Sequence, residues 1–296
     1  MDPRRGCGRL AAPPSLTDGP ATERHVVAPD ATPIAVFSSG PSDGPPVILV
    51  HGATADHTAW RAVAPRLAES FRVHAIDRRG RGASGDGPEP YRIEVEYEDV
   101  ATVADAVAAE AGEPVDVVGH SYGGRIALGA ALRTAAIGRV VVYEGAPSPA
   151  DASGYRPSGV EGRIRRLIDE GDRDAALETF FREIVGMPET ELIAYRADPI
   201  WPRRAAAVHT TLRELEADGS PAASLEALRG VEQPVLQILG GASKPVFAEA
   251  TAALDALLAD SRVVVIPGAR HAAHHTHVAE FVAAIEAFLG PRPVAD

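Results

Sequence analysis

Short apolar runs alternate with helix-length stretches of mixed polarity along most of this chain. Pro45-Pro46 precede Val47-Ile48-Leu49-Val50, an unbroken apolar run rich in β-branched residues and followed by His51-Gly52. Such a run, bounded by prolines and a glycine, predicts a strand buried on both faces. Mainly apolar runs at residues 73–76, 115–118, 140–143, 235–239 and 263–266 also read as strands, with further strands at 25–27 and 34–37. Between them, residues 58–69, 95–111, 122–132, 247–258 and 278–289 carry apolar side chains at helical spacing, as in Val100, Val103, Ala104 and Val107. Strands separated by helices predict βαβ units and a mostly parallel sheet.

Residues 147–230 break this alternation. They hold no convincing strand, but segments 163–170, 174–185 and 205–217 have helical spacing, joined by Pro188, Pro199, Pro202 and several glycines. So long a strand-free block predicts a helical insertion laid over the carboxyl ends of the strands, where open sheets bind ligands. The α/β core is then expected from 23–146 and 231–296. Residues 1–22, with Pro3, Pro13, Pro14, Pro20, Gly6, Gly8 and Gly19, are expected to form a flexible leader.

Composition narrows the functional classes. The net charge of −12 disfavours a phosphate-backbone partner, so no nucleic acid is expected. The single cysteine, Cys7, excludes a disulfide framework and a cysteine-based metal centre. No apolar run reaches the length of a membrane span. The first residues, MDPRRGCGRLAAPPS, lack the apolar segment of a secretory signal. The expectation is a soluble, cytoplasmic protein acting on a small molecule, with no membrane partner, cofactor or metal. Its oligomeric state is not legible.

The most informative stretch is Gly119-His120-Ser121-Tyr122-Gly123, a G-x-S-x-G pattern with a strand before it and a helix-capable run after it. A serine perched on so sharp a turn needs neighbours without side chains, which Gly119 and Gly123 supply. Ser121 is the candidate nucleophile. An activated serine needs a base and an orienting acid. His271, in Pro267-Gly268-Ala269-Arg270-His271, follows a late strand and is the candidate base. His274, His275 and His277 follow it; lacking an acidic or cysteine partner at ligand spacing, they do not read as a metal site, and His274 and His275 read as surface residues at a helix start. His120 reads as a packing residue. For the oxyanion, the backbone N–H groups of Ala53 and Tyr122 are the candidate donors.

The segments HGATADHTAW, DRRGRGASG, GHSYGG and PGARH resemble, in order and separation, the landmarks of the α/β-hydrolase superfamily, in its group of capped serine hydrolases. The likeness covers roughly residues 23 to 290. It implies a doubly wound, mostly parallel eight-stranded sheet with a helical lid inserted after the sixth strand. It implies Ser121 as nucleophile, His271 as general base, an oxyanion loop opened by His51-Gly52, and a structural role for Asp77, Gly80 and Gly82. One departure stands out. Where most members place the acid, this chain has Ala242, and the next acid, Glu249, falls inside a helix. Some relatives carry the acid after the preceding strand, where Glu144 stands here. Glu144 is the candidate orienting acid; the alternative is a Ser–His dyad.

The implied activity is hydrolysis of a small or medium carboxylic ester or lactone through an acyl-enzyme. C–C bond or thioester hydrolysis and intramolecular acyl transfer would use the same groups. A non-enzymatic ligand receptor on this fold, which Ala242 slightly favours, is a third reading. The substrate pocket is expected to draw on Tyr155, Phe180, Phe181, Ile184, Met187, Tyr195 and Trp201 of the lid. Arg125, Arg203 and Arg204 are candidates for an acidic substrate group, with solvated surface arginines as the commoner outcome.

Overall fold

The computed structural model describes residues 21–149 and 157–290. Its eight strands are β1 (Thr22–Val27), β2 (Pro33–Ser39), β3 (Pro46–Val50), β4 (Arg72–Ile76), β5 (Val115–His120), β6 (Ile137–Tyr143), β7 (Val235–Gly240) and β8 (Ser261–Ile266). They form one sheet in the order β1-β2-β4-β3-β5-β6-β7-β8. A short turn joins β1 to β2, so these pair antiparallel, and β2 is also antiparallel to β4. From β3 onward helical crossovers intervene and every pair is parallel. β1 begins at Thr22, inside the segment expected as leader.

The helices are α1 (Ala64–Leu67), α2 (Ile93–Ala111), α3 (Tyr122–Ala131), α4 (Val160–Asp169), α5 (Arg173–Thr179), α6 (Glu189–Arg196), α7 (Trp201–Ala207), α8 (Thr210–Ala217), α9 (Pro245–Leu257), α10 (Ala273–Thr276) and α11 (Val278–Leu289). α2, α3 and α9 cover one face of the sheet; α1 and α11 cover the other. β3 shows why its sequence is apolar throughout. Ile48 and Val50 pack into the first layer, Val47 and Leu49 into the second, and none is exposed to solvent.

Two predicted helices are interrupted. Residues 58–69 fold as a 3-10 turn, His57–Trp60, capped by the Asp56 side chain, followed by the short α1. Pro65 lacks the N–H and the room to continue an α-helix through that stretch. Residues 174–185 start as α5 and widen into a π-helical turn, Phe180–Val185, that stops at Gly186 with φ +77°.

The insertion follows the sixth strand, as expected, and α4 to α8 pack around their own core of Ile164, Leu177, Phe181, Trp201 and Leu215. Ala53 of the β3 loop packs against that core, which seats the lid over the strand ends. Ion pairs hold it down. Glu214 of α8 accepts from Arg78 at 2.6 Å and from Arg81. Arg61 donates to Asp198 at 2.9 Å and Arg203 to Asp56 at 2.7 Å.

Candidate active site

Ser121 occupies the turn from β5 to α3 with φ +53° and ψ −125°, a backbone region that side chains rarely adopt. The turn persists because its neighbours fix it. The Ser121 N–H donates to Tyr143 O at 2.8 Å, and its carbonyl accepts from Gly124 N–H at 2.9 Å. A Cβ on Gly119 would lie 2.5 Å from Gly123 O, and one on Gly123 only 2.3 Å from His51 O. These contacts give the steric reason for both glycines of the motif.

Glu144 follows β6, also at positive φ, +46°. Its backbone N–H donates to Ile238 O at 3.2 Å. Its side chain is wholly buried and engaged on both oxygens. Gly240 N–H donates to Oε1 at 2.7 Å, and His271 Nδ1 lies 2.5 Å from Oε2. Ala242, at the position where the family resemblance placed an acid, contributes backbone groups alone: its N–H donates to Ala269 O at 2.8 Å and its carbonyl accepts from Arg270 Nη1 at 3.1 Å. Glu249 is exposed on α9.

The loop bearing His271 is pinned at several points. Tyr143 O–H donates to Arg270 O, and Ala273 N–H donates back to Tyr143 Oη at 2.8 Å. His120 Nε2 donates to His271 O at 2.9 Å. The imidazole of His271 stacks on Phe247, ring centres 4.5 Å apart, with His120 4.7 Å away on a tilted plane. His120 is therefore the packing residue expected of it.

Ser121, His271 and Glu144 share a cavity of about 50 Å³ with Ala53 and Tyr122, under Phe180 and Ile184 of the lid. Tyr122 is the first residue of α3, so its N–H has no partner within the helix. On the facing loop, His51 is fully buried and held neutral: burial and the Arg78 guanidinium push its pKa well down. Its Nδ1–H donates to Gly52 O at 2.8 Å, and Nε2 accepts from Arg78 N–H at 3.0 Å. This tautomer braces the loop that carries Ala53. A Cβ on Gly52 would meet Ser121 Cβ at 3.2 Å, so glycine lets the loop pass close to the serine.

Asp77 has the structural role the resemblance implied. It accepts from His57 N–H at 2.7 Å and from Ala83 N–H at 2.8 Å, and a side chain on Gly82 would strike its carboxylate. Asp56, His57 and Asp77 are the one group among the described residues whose potential metal-ligand atoms come within 4.8 Å of one another. Their carboxylates are already engaged by Arg203, Thr58 and His57.

A second chamber of about 360 Å³ opens on the other side of His271, between the lid and the α10 loop. Phe181, Met187 and Tyr195 line it, whereas Phe180 and Ile184 line the serine cavity. Trp201 lines neither. It is buried in the lid core, its Nε1–H donating to Asp174 at 2.7 Å, which corrects its assignment to the pocket. Tyr155 lies outside the described residues. His274 corrects the surface reading: only 2% exposed, it turns into the protein beside His120 and Trp60 because α10 packs inward through Ala273. His275 also lines the chamber, its pKa pushed down to about 3 by burial and by Arg61 and Arg204. Of the candidate arginines, Arg203 is exposed, Arg125 is buried against Asp218, and Arg204 is buried at the chamber wall. Sequence reading did not single out Arg204 from the other two; nothing in the local pattern separates it from its exposed neighbour. Among the described residues no helix is long and apolar enough to cross a membrane.

Comparison with known proteins agrees with this architecture. The chain is 43% identical over 109 residues to the probable oxidoreductase EphD of Mycobacterium tuberculosis; that stretch is 35% of this chain and 18% of EphD, so the chain spans less than a fifth of that relative's length. It is 30% identical over 266 residues to the 2-hydroxymuconate semialdehyde hydrolase of a Pseudomonas species, covering 85% of this chain and 89% of the relative. Among solved structures, an alpha/beta hydrolase from Sphaerobacter thermophilus superposes with a TM-score of 0.70 at 35% identity, over 82% of this chain and 91% of that one. Residues 47–284 match the pattern of the alpha/beta hydrolase family. That span runs from β3 into α11 and takes in the serine turn, the lid and the histidine loop together: the chain belongs to the alpha/beta hydrolase family.

Proposed function

We propose that the protein is a serine hydrolase of small or medium carboxylic esters or lactones. Ser121 Oγ attacks the carbonyl carbon while His271 Nε2 takes its proton. Glu144 accepts from His271 Nδ1–H, fixes that tautomer and stabilises the imidazolium. The N–H groups of Ala53 and Tyr122, with the positive end of α3 behind them, receive the oxyanion. His271 then protonates the leaving oxygen, giving an acyl-Ser121 ester. Water, deprotonated by His271, attacks that ester and releases the acid.

One observation carries the reading: a buried carboxyl oxygen 2.5 Å from His271 Nδ1, on a histidine that shares a cavity with a serine held on a strained turn. It also weakens the receptor alternative, because the case for that rested on Ala242 and Glu144 supplies the missing carboxylate. C–C, thioester or acyl-transfer chemistry would use the same three residues, and no feature of the site favours it over ester hydrolysis.

Steady-state hydrolysis of 4-nitrophenyl acetate and butyrate tests the proposal. Ser121→Ala and His271→Gln are each expected to lower kcat by about 10³-fold or more. Turnover undiminished by Ser121→Ala would overturn it.

A further inference from the structure

We infer that the chamber beyond His271 binds a carboxylate on the substrate, with Arg204 as its counterion and the rings of His274 and His275 as further donors. The substrate would then be an ester that also carries a free acid. The inference rests on the serine-hydrolase reading only in making that acid part of the substrate.

The charge at the chamber is opposite to that of the whole protein. Four cationic side chains line it, Arg61, Arg204, Lys244 and Arg270, against two carboxylates, Glu191 and Asp198. Both carboxylates are already paired, Asp198 with Arg61 at 2.9 Å and Glu191 with Arg270 at 3.4 Å. Lys244 Nζ donates to the carbonyls of Glu183 and Ile184 at 3.0 and 2.9 Å. Arg204 is different. It is 7% exposed, its one hydrogen bond among the described residues goes from Nη1 to Thr54 Oγ1 at 3.2 Å, and its Nε is buried without a partner. The aromatic rings of Tyr195 and Phe181, 5.4 and 5.8 Å from its guanidinium carbon, offset only part of the desolvation.

A buried guanidinium without a carboxylate is costly. So are buried ring nitrogens without partners, and there are three beside it: both nitrogens of His274 and Nε2 of His275. One ligand answers the guanidinium and one N–H on each ring: an anion presenting acceptor oxygens to both kinds of donor. A single negative charge matches the single unpaired guanidinium, which favours a carboxylate over a phosphate dianion. His271 and Phe247 wall both this chamber and the serine cavity, so the two adjoin and the inferred substrate is one that spans them.

The test compares matched esters on the full chain. On the acyl side, mono-4-nitrophenyl glutarate is set against 4-nitrophenyl pentanoate; on the alcohol side, 4-carboxyphenyl acetate against 4-carbamoylphenyl acetate. The readout is the ratio of kcat/KM for acid over neutral ester. On one side, which locates the chamber, the wild type is expected to prefer the acid about 10- to 100-fold, and Arg204→Gln to bring the ratio near one. Arg203→Gln, an exposed neighbour, should leave the ratio as it was. No preference for either acid, or a preference that survives Arg204→Gln, would overturn the inference. If no ester is turned over, the hydrolase reading fails and the chamber is still tested by melting temperature with free glutarate. A rise in the wild type, absent in Arg204→Gln and absent with glutaramide, supports the site; no rise, or an equal rise in both proteins, rejects it.

Discussion

Glu144 and His271 are 127 residues apart in the chain, yet a carboxyl oxygen of one lies 2.5 Å from Nδ1 of the other. The second carboxyl oxygen is held by the N–H of Gly240 on the neighbouring strand, so the acid cannot rotate away without losing a buried hydrogen bond. Glu144→Gln should retain the fold, since the amide oxygen can still accept from Gly240. It should lower kcat by about 10²- to 10⁴-fold, because the neutral amide no longer stabilises a charged imidazole. Glu249→Gln should change kcat by less than about twofold. Kinetics of both variants on an ester the wild type turns over, with circular dichroism as the folding control, decides this.

The lid is latched by charge. Glu214 of α8 is 3% exposed and bonded to Arg78 and Arg81, themselves buried. Glu214→Ala would leave two guanidiniums with one fewer buried counterion, at a cost of about 3 to 5 kcal/mol. A fall of roughly 10 °C in Tm is expected. An unchanged Tm in a thermal melt would show that the latch contributes little.

Acid should loosen the same network. Burial alone would raise the Glu96 pKa, but Arg78 and Arg81 outweigh it and hold the group at about 2, below the 4.5 of a free glutamate. The folded state thus binds this proton less tightly than the unfolded chain does. The stabilisation is complete above pH 4.5 and is lost as pH falls toward 2. By linkage the loss from this one group is roughly 3 kcal/mol. Urea unfolding between pH 6 and 2.5 should show it, and Glu96→Gln should flatten that part of the profile.

What was legible in the sequence follows from how local each signal is. The serine turn is encoded by adjacent residues: the contacts that a Cβ on Gly119 or Gly123 would make explain why both are glycine. Glu144 stands out as a candidate in the sequence because Ala242 leaves the other position empty. The buried arginines do not. Nothing near Arg78, Arg79 and Arg81 in the sequence marks them as buried, and only the fold brings Glu96, Asp99 and Glu214 to them. The burial of His274 is not legible for a different reason: its four-residue helix has too little periodicity to say which side faces inward. The sequence places Trp201 with the pocket residues because a lid stripe looks alike whether it faces a ligand or the lid's own core.

The claim on which the rest depends is that Ser121 is an activated nucleophile. Incubating the intact protein with a fluorophosphonate and weighing it by mass spectrometry tests this directly. The account predicts one phosphonyl adduct per chain, mapped by peptide digestion to Ser121 and absent from Ser121→Ala. A protein that stays unlabelled, or an adduct that persists in Ser121→Ala, would contradict it.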